Sequence, residues 1–406
     1  MNNKKHQDDI FTISLPKSEI IFTRYLYIKD EVKIALMINI LQKNNDAIFW
    51  AYELLYSGFK HELFELFWKI YYDFFATINP SFEAYLLKKH LEFVISNTDK
   101  SDKSDKSDKI ISAIVQDLII RPFNTDIFFL RKINELFEIE CIYHTKEIKT
   151  NIELHSNLKN WIDNKDYRSI SKFILNKKVN FDLIDIYMIV LDILKIKKTS
   201  RLLKELDISI NSNSNSNNDI NQKIMILSKI ISKISNKNKN IKGKNFYIRV
   251  DPEEIIQYET INVIDQIRHY NILKSACICG IDEHKHLGLF KLQRQQYELN
   301  DIENMYRYNW EYHASFSPIW FERYKEFGGV IDYTKQKLNF KDDDKMEEFY
   351  KQYGYEPDEQ PLSVQYKSIM KIESEKTWTW FNNTYMNNGL FKLNEYELCE
   401  LSNIEY

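Results

Sequence analysis

Apolar residues recur three and four positions apart through the first part of the chain, the spacing that places them on one side of a helix. The pattern is densest from Arg24 to Ile95, where aromatic residues are frequent. Gly58 and the turn Asn79-Pro80-Ser81 interrupt it, and such residues commonly end helices. The predicted helices span residues 30–41, 46–57, 61–76 and 82–96. Because the connections are short, we expect them to pack as antiparallel neighbours.

The helical pattern continues with interruptions to residue 234. The further helices that it predicts span residues 109–120, 127–137, 158–164, 167–176, 183–196, 200–206 and 220–234. Two polar tracts have no apolar residues to bury, an Asp-Lys-Ser repeat within 98–109 and a Ser/Asn run within 211–219. We expect both to be flexible insertions.

The second half of the chain mixes helical patterns with short alternating ones. Residues 246–250 read as a strand, and residues 330–333 and 337–340 read as a hairpin around Thr334-Lys335-Gln336. The predicted helices here span residues 254–258, 263–275, 301–313, 319–327, 346–353 and 364–372. The predicted fold is therefore mainly α, with an N-terminal HEAT-like helical array or irregular bundle and a C-terminal α-rich domain with small β-hairpins.

These patterns divide the chain into four parts. We expect a flexible N-terminus at 1–20, a helical domain at 21–235 with the two insertions, a basic linker at 236–245 and the α-rich domain at 246–406. No fixed-period repeat is visible, so the HEAT-like description is an architectural analogy.

Composition narrows the class of protein. The 406 residues are 44% hydrophobic, the net charge is −3 and there are four cysteines. A near-neutral chain has no long-range attraction to nucleic acid or anionic membranes, and sparse cysteine fits a reducing compartment. The N-terminus lacks a secretory signal, and no apolar run is long enough to span a bilayer. We therefore expect an intracellular protein that does not insert into membranes.

Four segments of distinctive sequence resemble an uncharacterised protein family encoded by nucleocytoplasmic large DNA viruses, including relatives of mimivirus. The segments are FWAYELLYSGF (Phe49–Phe59), WKIYYDFFATINPSF (Trp68–Phe82), HASFSPIWFERYKEFGGVID (His313–Asp332) and EEFYKQYGYEPDEQPL (Glu347–Leu362). The resemblance implies a giant-virus origin and carries no activity or functional residue. The heavy use of Ile, Lys and Asn agrees with an AT-rich genome. Location in the host cytoplasm, a viral factory or the virion follows as an expectation.

One cluster has the residue types of a zinc site. Cys277, Cys279, His284 and His286 fall within ten residues, and two cysteines with two histidines form a complete tetrahedral zinc set. The spacing differs from that of the usual zinc modules, and a buried cysteine pair beside two exposed histidines is the simpler interpretation. We expect no cofactor, with zinc as the alternative at this position.

A basic segment runs from Lys223 to Arg249. Its candidate phosphate-binding residues are Lys229, Lys233, Lys237, Lys239, Lys242, Lys244 and Arg249. Phe246 and Tyr247 add rings on which bases can stack. A solvated linker explains the same residues, since charge runs are usually solvated.

The remaining candidate sites are aromatic and acidic clusters. Trp378 and Trp380, two residues apart, are hard to bury together on a helix, so we expect a strand or an exposed partner-binding surface. The aromatic run around Trp320 reads as core, and the acidic run that starts at Asp342 reads as a helix cap. The Walker A, dinucleotide-binding, zinc-protease and nucleophile-elbow motifs are all missing from the sequence.

The sequence thus predicts a non-enzymatic viral scaffold or adaptor that binds protein partners through a helical surface. An accessory factor for viral nucleic acid in replication, transcription or translation is the alternative. A zinc-containing enzyme is a weaker one.

Overall fold

The computed structural model describes residues 19–98, 103–138, 148, 150–176, 181–198, 219–238, 247, 285–353, 362–386 and 389–403. Within these residues the backbone is mainly helical, with one two-stranded antiparallel sheet. The predicted fold class is confirmed.

Ten α-helices form the described N-terminal part. They are α1 (Lys29–Gln42), α2 (Asp46–Tyr56), α3 (Lys60–Ile70), α4 (Phe82–Thr98), α5 (Lys103–Ile120), α6 (Asp126–Glu138), α7 (Asn151–Asp163), α8 (Tyr167–Leu175), α9 (Leu183–Ile193) and α10 (Asp219–Asn238). A π-helical turn, Tyr71–Phe75, continues α3. Helix α10 packs against α6, α8 and α9 at once, which is the packing of a bundle.

Seven shorter helices and the sheet form the described C-terminal part. The helices are α11 (Leu299–Arg307), α12 (Trp310–Ala314), α13 (Pro318–Glu326), α14 (Asp343–Tyr353), α15 (Leu362–Ile369), α16 (Trp378–Tyr385) and α17 (Glu395–Glu400). Strands β1 (Gly329–Asp332) and β2 (Lys337–Phe340) pair antiparallel, with Gly329 opposite Phe340. Single 3-10 turns span Lys285–Leu289, Gln293–Gln296 and Leu401–Asn403.

Local chemistry explains several helix ends. Gly58 follows α2 with φ +93°, a left-handed conformation that glycine adopts without steric cost. Asn44 Oδ1 accepts the backbone N–H of Asp46, the first residue of α2, at 3.1 Å. Asp342 Oδ1 accepts the N–H of Asp344 at 3.0 Å. The predicted helix cap is confirmed for Asp342.

The N-terminal segment before α1 joins the two halves of the sequence. The Phe22 N–H donates to the carbonyl of His313 at 3.2 Å, and the indole N–H of Trp320 donates to the carbonyl of Thr23 at 3.0 Å. Buried apolar residues of both halves belong to one continuous core. Ile20 itself is fully buried, so ordered packing begins within the segment predicted as flexible.

Some boundaries differ from the predictions. Helix α5 begins at Lys103, so the second part of the predicted insertion at 98–109 is helical. The helix predicted at 301–313 is two helices separated at Tyr308-Asn309, and α10 extends into the predicted linker 236–245. The helices predicted at 200–206, 254–258 and 263–275, and all of the strand predicted at 246–250 except Tyr247, lie outside the described residues.

Candidate functional sites

His286 is the one described member of the predicted zinc cluster, since Cys277, Cys279 and His284 lie outside the described residues. Its ring stacks on Trp380, with centroids 5.3 Å apart and planes 8° apart, and its Nε2 lies 2.6 Å from the side-chain nitrogen of Gln42. Among the described residues no group of three or more His, Cys, Asp or Glu side chains could hold a metal ion. Zinc at this position stays a prediction.

The two tryptophans proposed for partner binding both lie on α16, which Thr377 caps. Trp378 is 5% exposed and its ring lies 5.5 Å from Phe290 and 6.2 Å from Phe128. The prediction that both tryptophans lie on a strand or on the surface is therefore wrong: they lie on a helix, and Trp378 is core. Trp380 is half-buried, with the Lys376 ammonium 4.7 Å from its ring centroid.

The basic segment is only partly described. Lys239, Lys242, Lys244 and Arg249 lie outside the described residues, as does the side chain of Lys237. The described lysines contact the protein: Lys229 forms an ion pair with Glu83, and Lys233 is half-buried. These two lysines are therefore not simply solvated residues of a linker.

Lys229 and Lys233 line a small cleft, which we call the α10 cleft. Ser228, Lys229, Ser232 and Lys233 lie on one side of α10 and form one wall, and the opposite wall consists of Tyr71, Tyr72, Ala76, Pro80, Glu83 and Tyr187. The cleft has a volume of about 80 Å³. The Ser232 hydroxyl, on a residue 2% exposed, has no hydrogen-bond partner within the described part of the chain.

Two buried arginines were not anticipated from the sequence. Arg24 is 1% exposed and its Nε donates to Glu53 Oε2 at 2.8 Å. The Arg323 guanidinium lies 4.5 and 4.7 Å from the ring centroids of Trp320 and Tyr353. Burial lowers the pKa of Arg323 to about 10, and the nearby charge of Arg24 adds to this shift. The described carboxylates form no ion pair with Arg323, so aromatic faces supply its contacts.

A second charged cluster surrounds the π-helical turn. Asp73 lies in this turn and accepts two hydrogen bonds from Arg131, at 3.2 and 2.7 Å. Lys69 lies one turn earlier; burial, and then the charge of Arg131, lower its pKa to about 7. π-helical turns occur often at functional sites, and Tyr71 and Tyr72 of this turn line the α10 cleft.

Five exposed apolar side chains lie on helices α11 and α15 or directly after them. Their exposed fractions run from 45% to 67%, and they are Leu299, Tyr308, Leu362, Tyr366 and Met370. We call them the α11–α15 face. The Arg307 guanidinium donates to Gln365 Oε1 at 2.9 Å and Lys371 Nζ lies 3.9 Å from Glu298, so the two helices run antiparallel.

Comparison with known proteins gives no relative: no family model, curated protein or solved structure matches the chain significantly. Within the described residues, no helix combines the length and the apolar character needed to cross a membrane.

Proposed function

We propose that the protein is a non-enzymatic scaffold or adaptor that binds a protein partner through the α11–α15 face. The four resembling segments further support a proposal of giant-virus origin and action inside the infected cell. The observation that carries the binding proposal is the exposure of five large apolar side chains on two adjacent helices or directly after them.

Three of these residues have the spacing of one helix face. Leu362, Tyr366 and Met370 are four residues apart and therefore follow one side of a helical path, since the Met370 N–H still donates to the carbonyl of Tyr366. Scattered exposed apolar residues are ordinary, whereas contiguous apolar patches mark interaction sites.

The chemistry of the face also resembles that of protein interfaces. Tyrosine and methionine are enriched at interface centres, and charged residues lie at the rim. Two ion pairs lie in the same segments: Glu303 with Arg307 at 3.1 Å and Glu298 with Lys371 at 3.9 Å. We expect the two tyrosines to contribute most of the binding free energy.

The test is affinity purification from cells that express the tagged protein, with and without nuclease, followed by mass spectrometry. We expect a protein partner that resists nuclease and is lost from the double variant Tyr308→Ser, Tyr366→Ser. The control is Ile152→Ser on α7, since Ile152 is 83% exposed and lies outside the face. A partner retained equally by the double variant would contradict the proposal.

The second candidate is an accessory nucleic-acid factor. Tyr247, within the basic segment, is 47% exposed and its ring lies 5.1 Å from the Arg121 guanidinium, so an aromatic surface is available beside cations. Partners that disappear with nuclease, and RNA or DNA binding that is lost on Lys→Glu changes at Lys239, Lys242 and Lys244, would favour it. Stoichiometric zinc in the purified protein would favour the weaker enzyme alternative.

A further inference from the structure

Helix α4 carries apolar side chains on its outer side. Leu91, Val94 and Ile95 are 55%, 50% and 62% exposed, and the partly exposed Leu87 lies one turn before Leu91. Their spacing of three and four residues places all four on one side of the helix. We call these four residues the α4 face.

The opposite side of α4 packs into the core. Phe82, Leu86 and Phe93 lie there and are at most 4% exposed. A surface helix usually has polar residues opposite its buried side, whereas α4 has a second apolar side. The folding of one chain therefore does not explain the α4 face, and contiguous exposed apolar residues of this kind mark interaction surfaces.

The charges beside the α4 face are self-complementary. Lys88 and Glu92 lie one turn apart on the same flank of the face, and their side chains are 73% and 38% exposed. Lys88 Nζ lies 3.8 Å from Glu92 Oε1, whereas Lys89 binds Glu92 Oε2 more closely at 2.8 Å. A flank with one cation and one anion in this order matches a copy of itself that runs in the opposite direction.

An antiparallel pair of α4 helices satisfies both the apolar and the charged residues. A two-fold axis that passes between the helices at Leu91 places Leu87 of one copy opposite Ile95 of the other. The same axis brings the charged flanks of both copies together. Lys88 of one copy is then offset from Glu92 of the other by two residues, or about 3 Å along the helix. A lysine side chain is long enough to span this offset.

The size of the α4 face sets the strength that we expect. Helix α4 has 17 residues, so it is about 25 Å long, and at a width of about 10 Å one side of it offers about 250 Å². Each partner of a standard interface contributes about 800 Å². A dimer that forms mainly through α4 should therefore be weak, and its population should depend on protein concentration.

We propose that the α4 face is a dimer interface, at which α4 packs antiparallel against α4 of a second copy of this chain. The four apolar residues pack across the two-fold axis, and Lys88 of each copy binds Glu92 of the other. The α4 face and the α11–α15 face lie on different helices, so dimerisation does not depend on the proposed partner binding.

Sedimentation equilibrium of the full-length protein over a range of concentrations tests the apolar part of this interface. We expect a monomer–dimer equilibrium that Leu91→Glu shifts to monomer, because this change removes an apolar contact and brings two carboxylates together at the axis. Circular dichroism should show that the variant is folded, since Leu91 is exposed. The matched control is Ile152→Glu, at an 83% exposed position on α7, which should dimerise as the native protein does.

Charge reversal tests whether the partner is a second copy. Lys88→Glu leaves two carboxylates on the flank of each copy, and Glu92→Lys leaves two ammonium groups. Each variant alone should dimerise roughly threefold more weakly or worse, because like charges meet across the axis. An equimolar mixture of the two variants should recover dimers, because opposite charges then meet. Higher salt should reduce these differences.

Several results would overturn the proposal. One is a native protein that stays monomeric at every concentration, and another is dimerisation that Leu91→Glu leaves unchanged. Failure of the two charge variants to recover dimers on mixing would exclude the antiparallel pairing. A photoreactive group at position 91 that captures a different protein in cells, and no second copy, would assign the face to that protein instead.

The double variant Tyr308→Ser, Tyr366→Ser separates this proposal from the proposed function. It should dimerise as the native protein does, although it should lose the partner of the α11–α15 face. Loss of the dimer in this variant would place the dimer interface on the α11–α15 face and overturn the assignment to α4.

Discussion

Lys69 lies beside four charged side chains. Arg131 and Lys132 add two cations beside it, and Asp73 and Glu135 add two carboxylates. Arg131 is bound to Asp73 and to Glu135, and Lys132 is bound to Glu135 as well. Burial is therefore the main cause of the lowered pKa of Lys69, and Arg131 reinforces it.

The lowered pKa makes stability depend on pH in a defined direction. The pKa of Lys69 is about 7 in the folded protein against 10.5 for an unperturbed lysine, so the unfolded chain binds this proton more tightly. Stability therefore rises as pH increases from about 7 to 10.5 and is lost as pH falls through this window. In the native protein the free energy of unfolding should rise by up to about 1.4 kcal/mol per pH unit because of Lys69, and Lys69→Met should remove this contribution.

Urea unfolding at pH 7, 8 and 9 measures this slope. Lys60→Met is the matched control, because Lys60 lies exposed at the start of the same helix. Identical pH slopes for Lys69→Met and Lys60→Met would contradict the account of Lys69.

At the scale of elements, Gly58 fixes how the end of α2 meets α13. Its φ is +93°, and an added Cβ would lie 2.5 Å from Pro318 Cβ. The carbonyl of the preceding Ser57 accepts the Ser317 hydroxyl at 3.0 Å. A close approach of backbone and proline ring therefore requires glycine here.

Gly58→Ala should destabilise the protein more than Gly328→Ala. Gly328 also has a positive φ, +73°, but the nearest atom to an added Cβ is Lys345 Cδ at 4.0 Å. Gly328→Ala should therefore cost about 1–2 kcal/mol for the left-handed conformation alone. Gly58→Ala should cost about 1–3 kcal/mol more because of overpacking. If urea unfolding gave the same loss of unfolding free energy for both variants, the close contact with Pro318 would add no cost at Gly58. That result would contradict the prediction.

Most helices and the hairpin could be predicted from local patterns, because each depends on nearby residues. Helices α1 and α4 begin within one residue of their predicted starts, and strands β1 and β2 match the predicted hairpin to within a residue. The π-helical turn 71–75 could not be distinguished from an ordinary α-helix in the sequence, since a run of five mostly aromatic residues fits any helical register.

The candidate sites were harder to predict, because distant segments build them. Arg24 and Glu53 are 29 residues apart, and His286 meets Trp380 only through tertiary packing. The burial of Trp378 depends on Phe128 and Phe290. In the sequence, only its positive charge distinguishes Lys229 as a candidate. Its contact with Glu83, 146 residues away in the chain, depends on the fold.

At the scale of the molecule, the two halves of the sequence are held together by polar as well as apolar contacts. Arg168 on α8 binds Glu397 on α17 through two hydrogen bonds of 2.7 Å. The Asp126 carboxylate accepts the backbone N–H of Leu390 at 2.9 Å. The Trp320 indole donates to the segment before α1, and the Ser317 hydroxyl donates to the end of α2. The halves should therefore unfold together.

Calorimetry should show one unfolding transition, with calorimetric and van't Hoff enthalpies that agree. Circular dichroism and tryptophan fluorescence should report the same midpoint, because Trp50 and Trp320 lie in the same core. Two separated transitions would mean that the halves are independent folding units.

The central claim is that the α11–α15 face binds a protein, and site-specific photo-crosslinking tests it most directly. A photoreactive amino acid replaces Tyr366 in cells that express the protein, and the control places the same group at Ile152 on α7. The account predicts a discrete, nuclease-resistant adduct with one partner from position 366 and none from position 152. Absence of an adduct at 366, or the same adducts from both positions, would contradict it.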